Sequence, residues 1–187
     1  MINLRKDLST EQIINNIIFP ALEKIGKLWE EENLALSQVY MSGHISEELV
    51  IDLFPEPKDQ FKDVPNVGLA VLEDYHALGI QIIASFLKSS GLDPILYTTG
   101  ITVDELINNL IQDNIDIIFV STLMYRSALK IKTFTNALKE KGIKTKVIVG
   151  GAPFRFDKSL YKKVGADAYG NNAFDSIKLI KKVKEES

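Results

Sequence analysis

The 187 residues carry a net charge of −3, include no cysteine, and are 45% hydrophobic. This composition is sufficient for a buried core, and it excludes disulfides, thiolate metal sites and cysteine nucleophiles. The slight acidic excess leaves no basic surface with which to neutralise phosphates, so we expect no binding of nucleic acid.

The first predicted elements form a helical region over residues 1–54. Residues 9–10 mark a helix start, and apolar residues then recur at three- and four-residue steps from Ile13 to Trp29. Pro20 should kink this helix or divide it in two, because proline lacks the backbone amide. A second amphipathic helix is predicted from Leu36 to Leu53. The region therefore has room for about two helices.

A linker is predicted over residues 55–65, which include three prolines. Beyond it, residues 66–187 alternate between short β-branched segments and helical patterns. The predicted strands are Val67 to Leu72, Pro94 to Thr98, Ile115 to Val120, Thr145 to Val149 and a short fifth strand at Ala166 to Tyr169. The predicted helices are His76 to Ser89, Val103 to Asp113, Ala128 to Lys141, Lys158 to Lys163 and Asp175 to Lys184. Five such units predict an α/β fold, a flavodoxin-like doubly wound parallel sheet with strand order 2-1-3-4-5.

No part of the sequence predicts a membrane segment. Residues 1–7 lack the apolar stretch of a signal peptide. The apolar run at residues 115–120 is far too short to span a bilayer. We therefore expect a cytoplasmic protein that does not engage membranes.

The loops that follow strands 1, 3 and 4 are the expected ligand site, because open parallel sheets bind ligands beyond the carboxyl ends of their strands. The candidate residues there are Asp74, His76, Gly79, Ser121, Leu123, Gly150 and Gly151. No G-x-G-x-x-G motif follows strand 1, which argues against a dinucleotide. Glu73 and Asp74 would repel the phosphate of a flavin. Ser121 stands where a phospho-receiver domain would need its aspartate.

The spacing of these candidates resembles that of the cobalamin-binding domain family. The pattern reads Asp74-x-His76-x-x-Gly79, then 41 residues, Ser121-x-Leu123, then 26 residues, and Gly150-Gly151. The resemblance covers roughly residues 66–183 and implies cobalamin or a related corrinoid as the cofactor.

The resemblance implies a metal ligand and a relay of side chains behind it. His76 would be the lower axial ligand of the cobalt through one ring nitrogen, and Asp74 would hold the other ring N–H. Ser121 would extend the relay by a hydrogen bond to Asp74. Taken alone, Asp74 could instead be the N-cap of a helix that begins near Tyr75.

The other matched residues are implied to accommodate the displaced nucleotide tail of the cofactor. Gly79, Gly150 and Gly151 would leave room for it, since a side chain at any of them would occupy the slot. Leu123 would supply an apolar wall to the buried base. His44, the second histidine, is expected on a helix surface.

The helical region resembles the domain that precedes this module in methyltransferase corrinoid proteins and covers the upper face of the corrin. The likeness rests on Phe19-Pro20, on residues 26–31 and on residues 36–41. Trp29 fits either the helix core or this cap. Because that domain has four helices, the cap is abbreviated here, and a second copy of the chain or a partner protein would complete it.

The function implied by the resemblance is methyl transport. The chain would be a non-catalytic corrinoid subunit that carries a methyl group on cobalt between a substrate methyltransferase and an acceptor methyltransferase. A reductive activase would be a further partner. The alternative is a cobalamin-binding sensor or storage module that acts through a partner protein.

Overall fold

The chain folds into two compact units, Met1–Pro55 and Glu56–Ser187, which are described separately. The structure is a computed structural model that describes residues 7–55 and 64–185. The predicted linker, residues 55–65, falls mainly on residues 56–63, outside the described residues. None of the helices in the described ranges is both long and apolar enough to cross a membrane.

The first unit is helical, with α1 (Thr10–Ile13), α2 (Phe19–Glu30) and α3 (Leu36–Leu53). Ser9 caps α1 as predicted: its hydroxyl accepts from the Gln12 amide, and the Gln12 side chain accepts from the Ser9 amide. Residues Ile14–Ile18 form a π-helical turn, and Pro20 follows in the first turn of α2. The helix therefore passes Pro20 by a change of helix type, since proline cannot donate to the preceding turn.

The second unit is a five-stranded parallel sheet with strand order 2-1-3-4-5, which confirms the predicted fold. Its strands are β1 (Val67–Leu72), β2 (Ile95–Ile101), β3 (Ile117–Ser121), β4 (Lys146–Gly150) and β5 (Ala168–Tyr169). Its helices are α4 (Leu78–Ser89), α5 (Val103–Gln112), α6 (Tyr125–Glu140), α7 (Ala152–Phe156), α8 (Leu160–Lys163) and α9 (Ser176–Glu185).

Helices cover both faces of this sheet. Buried side chains of α4 and α9 form one core with the sheet, and those of α5, α6, α7 and α8 form the other. The central strands β1 and β3 are buried along their whole length, as expected for parallel strands enclosed on both faces. Val71, Ser121 and Gly150 pair across β1, β3 and β4. The predicted site loops therefore leave the sheet side by side at one edge.

Several boundaries differ from those predicted from the sequence, and the short helix α7 was not predicted. Helix α4 begins at Leu78 instead of His76, and α6 begins at Tyr125 instead of Ala128. Strand β2 extends to Ile101 and contains a bulge, because Val71 pairs with Thr99 while Leu72 pairs with Ile101. Gly100 is left between these pairs with a φ of +75°. A glycine in this conformation inside a strand is typical of a β-bulge.

Candidate functional site

Asp74 is the centre of the loop that joins β1 to α4. Only 3% of its surface is exposed, so its carboxylate needs partners. Its Oδ1 atom accepts the backbone amides of Tyr75 and His76 at 2.8 and 3.2 Å. Its Oδ2 atom accepts the amides of Leu123 and Met124, in the β3–α6 loop, at 2.8 and 3.0 Å. One buried carboxylate therefore fastens two loops of the candidate site to each other.

These contacts decide between the two interpretations of Asp74. The residues from Asp74 to Ala77 are not helical, and the residue that precedes α4 is Ala77. Asp74 is therefore not the N-cap of that helix. Its bonds to the next two amides hold the chain in a non-helical loop, which also explains why α4 begins later than predicted.

His76 lies directly against Asp74. Its Nδ1 atom is 2.5 Å from Asp74 Oδ1, and 54% of the histidine side chain is exposed. An ionised carboxylate only accepts hydrogen bonds, so the Nδ1 atom carries the proton and donates it. In the neutral ring, Nε2 then has a free lone pair, which is the form in which histidine binds a metal.

The charge of Asp74 is maintained by its donors. Burial raises the pKa of this carboxyl group. The hydrogen bond from the His76 ring and those from the amides of Met124, Leu123 and His76 outweigh burial, so the pKa lies below its ordinary value. Asp74 is therefore an anion at neutral pH and orients the imidazole as a fixed acceptor.

Glu73, Ser127 and Lys130 also shape this loop, although the sequence pointed to Glu73 only as a charge that disfavours a flavin and did not point to the other two. Glu73 has a φ of +45°, an uncommon conformation for a residue other than glycine. The buried Ser127 hydroxyl donates to the Glu73 carbonyl at 3.0 Å, and Lys130 Nζ lies 3.5 Å from the Glu73 carboxylate. The Glu73 amide donates to the Ile101 carbonyl at 3.1 Å. These bonds hold a tight turn immediately before Asp74.

Ser121 does not have the predicted bond to Asp74. Both carboxylate oxygens of Asp74 are taken by other donors, and Ser121 is not among the partners found in the described ranges. The Ser121 hydroxyl lies instead beside α4, where a methyl group added to Gly79 would be 3.0 Å from Ser121 Oγ. That part of the predicted relay is wrong, although Ser121 remains at the same edge of the sheet.

The two adjacent glycines that follow β4 differ in what surrounds them. A methyl group added to Gly151 would lie 1.8 Å from the Thr122 carbonyl oxygen, and Gly151 has a φ of +107°. The fold itself therefore requires glycine at 151. A methyl group added to Gly150 would meet nothing closer than the Gly170 carbonyl oxygen at 3.8 Å. Packing within the protein does not require glycine at 150, which is consistent with a ligand that needs the space.

Two buried hydroxyl groups have no hydrogen-bond partner within the described residues. They are Thr122 Oγ1, just after β3, and Ser176 Oγ, at the start of α9. Each residue is only 1% exposed. A buried hydroxyl without a partner is unfavourable by about 1–3 kcal/mol. Both therefore have hydrogen-bonding capacity that the described residues leave unused.

The arrangement suits a metal that is already coordinated within a larger cofactor. The loops offer one oriented imidazole with an accessible nitrogen, space beside Gly150, and Leu123 with 47% of its surface exposed. A single protein ligand of this kind fits an axial position on a metal whose other positions are filled by a macrocycle. These residues fit the corrinoid predicted from the sequence.

The chain is similar to known B12-binding proteins. One family model described as a B12 binding domain matches residues 66–178, and a second model of that description matches residues 3–51. The chain is 29% identical to the dimethylamine corrinoid protein of Methanosarcina barkeri over 182 residues, which cover 95% of this chain and 84% of that protein.

Solved structures share the fold. The monomethylamine corrinoid protein of Methanosarcina barkeri superposes with a TM-score of 0.77 at 19% identity, covering 96% of this chain and 86% of that one. A methanol:cobalamin methyltransferase complex of the same organism matches with a TM-score of 0.59 at 18% identity, covering 95% of this chain and 69% of that one.

Proposed function

Because this chain belongs to the B12 binding domain family, whose cofactor is cobalamin or a related corrinoid, we propose that it is the corrinoid subunit of a methyltransferase system. His76 is the proposed lower axial ligand of the cobalt. The observation that carries this proposal is the Asp74–His76 pair, in which a buried carboxylate orients a half-exposed imidazole. The chemistry that the corrinoid supplies when bound is transfer of a methyl group.

The proposed role of the residues in this chain is to bind the corrinoid and to orient the imidazole that holds its cobalt. Asp74 holds the proton on His76 Nδ1, which would leave the lone pair of Nε2 free to bind the cobalt of the corrinoid. Gly150 leaves space for the nucleotide tail, with Gly79, Gly151 and Ser121 at the same edge of the sheet. Leu123 supplies apolar surface, and the hydroxyl groups of Thr122 and Ser176 have free hydrogen-bonding capacity.

Methyl transport and its partners are proposed from the relatives. Similar proteins are named as dimethylamine and trimethylamine corrinoid proteins, and a structural neighbour is a methyltransferase complex. We therefore assign this chain two cognate methyltransferases, one that loads the methyl group and one that removes it, and a reductive activase. The helical unit offers a surface for a partner or a second copy of the chain, since Leu36, Tyr40, Met41 and Ile45 are exposed along α3.

A sensor or storage module is the alternative function, and the bound form of the cofactor separates the two. A carrier is expected to accept a methyl group on the reduced corrinoid when a methylamine or methanol methyltransferase and its substrate are added. Tight binding of the adenosyl form alone, with release in light, would favour the sensor.

The first prediction concerns the metal ligand. His76→Ala is expected to abolish histidine coordination of cobalt, because no other described residue presents an imidazole oriented in this way. The chain has only two histidines, so protein grown with ¹⁵N-histidine can be loaded with hydroxocobalamin and reduced to the cobalt(II) state. Paramagnetic resonance should then show nitrogen splitting by ¹⁵N in the wild type and none in the variant.

The matched control is His44→Gln. His44 is on the surface of α3, where it lies 3.5 Å from Glu47 and contacts the Tyr40 ring. Its replacement should leave the ¹⁵N splitting unchanged. Splitting that survives in His76→Ala, or that disappears in His44→Gln, would show that the ligand is not His76.

The second prediction concerns the nucleotide tail. Gly150→Ala should leave the stability of the cofactor-free protein nearly unchanged, because the added methyl group would meet only the Gly170 carbonyl oxygen, at an ordinary contact distance of 3.8 Å. It should weaken binding of cobalamin by about ten-fold, the factor expected when one methyl group overfills a packed site. Binding of cobinamide, which lacks the tail, should not change. Equal losses for both corrinoids would argue against a tail beside Gly150.

A further inference from the structure

The bulge in β2 has a side-chain neighbour that connects it to His76. The three atoms nearest to a methyl group added at Gly100 all belong to Tyr75: Cε1 at 2.5 Å, Cζ at 2.7 Å and the hydroxyl oxygen at 3.0 Å. The Tyr75 ring therefore rests on the bare backbone of Gly100. Only a residue without a side chain leaves room for the ring at this position.

Tyr75 itself is unusually exposed for an aromatic residue, with 78% of its surface accessible. No hydrogen bond of its hydroxyl group is found in the described ranges, and its backbone amide donates to Asp74 Oδ1. The ring therefore packs against Gly100 while most of its surface remains exposed. Tyr75 precedes His76 directly, so the contact constrains the backbone from which the imidazole projects.

We propose that Tyr75 is a positioning residue for His76, and that the Tyr75 ring packs against the β2 bulge at Gly100 to do so. Asp74 controls the orientation of the imidazole ring, whereas Tyr75 controls the lateral position of the loop. The loop is then held on two sides, by the β3–α6 loop through Asp74 and by the end of β2 through Tyr75. This inference rests on the proposed role of His76 as the cobalt ligand.

The test uses the full chain, reconstituted with hydroxocobalamin, labelled with ¹⁵N-histidine and reduced to cobalt(II). Tyr75→Ala and Gly100→Ala are each expected to lower the ratio of histidine-bound to histidine-free cobalt by about five-fold, the factor that corresponds to releasing the backbone of one residue. The double variant should lose no more than either single variant, because both changes remove the same contact. Tyr75→Phe should retain the wild-type ratio, since phenylalanine keeps the aromatic ring that packs against Gly100.

Gly142→Ala is the matched control for Gly100→Ala. Gly142 has a φ of +67° with nothing within 4 Å of an added methyl group, so alanine there brings the same backbone strain without the displaced ring. It should not change the ratio. A wild-type ratio in Tyr75→Ala, or equal losses in Gly100→Ala and Gly142→Ala, would overturn the inference.

A second readout separates this inference from the proposed function. In the cofactor-free protein, hydrogen exchange of the His76 amide should become about five-fold faster in Tyr75→Ala. Absence of ¹⁵N splitting in the wild type would refute the cobalt ligand while leaving this measurement intact. Normal splitting with unchanged exchange in Tyr75→Ala would refute the positioning role alone.

Discussion

Replacing Gly151 with alanine is expected to lower the free energy of unfolding by ~4 kcal/mol. The added methyl group would lie 1.8 Å from the Thr122 carbonyl oxygen, a backbone atom that cannot rotate away. The φ of +107° adds strain of its own for any residue with a side chain. Overpacking and backbone strain each contribute about 1–3 kcal/mol. Urea denaturation of the cofactor-free protein, followed by circular dichroism, measures the loss.

Two other glycines serve as controls for this prediction. Gly142→Ala has the positive φ without the clash and should cost only about 1 kcal/mol. Gly150→Ala, one residue away from Gly151, should be nearly neutral. If all three variants lose the same stability, the steric conflict with Thr122 is not the reason for glycine at 151.

Replacing Asp74 with asparagine is expected to destabilise the protein by about 3 kcal/mol and to loosen two loops together. An asparagine side chain has an NH₂ group in place of one carboxylate oxygen. That group would face two backbone N–H donors, either those of Leu123 and Met124 or those of Tyr75 and His76. Buried donors left without acceptors cost about 1–3 kcal/mol each. Urea denaturation at pH 7 is again the measurement.

The pH dependence of this loss has a definite sign. Because the folded-state pKa of Asp74 lies below 3.8, ionised Asp74 stabilises the fold fully above the unfolded pKa. That stabilisation is lost as the pH falls through the folded pKa. The loss of stability in Asp74→Asn should therefore be present at pH 7 and shrink below about pH 4.

Asp116→Asn is the matched control. Asp116 is exposed and accepts a single backbone amide, that of Asn66, at 2.8 Å. The same substitution there should cost less than about 1 kcal/mol. A similar loss at both positions would mean that burial and shared donors do not determine the effect at Asp74.

The order of strands and helices could be predicted because the apolar periodicity of the second unit is strong. The strand segments are short and apolar on both faces, as central parallel strands must be. Local boundaries were less predictable where a side chain competes with the helix for amides. Asp74 takes the amides of Tyr75 and His76, and this delays α4 to Leu78. Such competition depends on three-dimensional geometry that hydrophobic periodicity does not encode.

The candidate site was predictable in its residues but not in its connections. The pairing of Asp74 with His76 was expected from the resemblance to the cobalamin-binding domain family, in which a carboxylate holds the second ring nitrogen of the histidine. The bonds from Asp74 to Leu123 and Met124 use backbone amides, which every residue except proline has, so the sequence contains no signal for them. Gly100 lies beyond Thr98, where the predicted second strand ends, so the sequence analysis did not place this glycine inside a strand, where it would indicate a bulge.

The bulge at Gly100 also affects how readily the edge of the sheet can pair with another molecule. Strand β2 is an edge strand of the sheet, and its seven residues carry no charge. A straight, uncharged edge strand offers a row of free amides and carbonyls to which a strand of another molecule can pair. A bulge interrupts the regular spacing of that row and increases the local twist. The bulge against which the Tyr75 ring packs therefore also disfavours pairing of β2 with a strand of a second molecule.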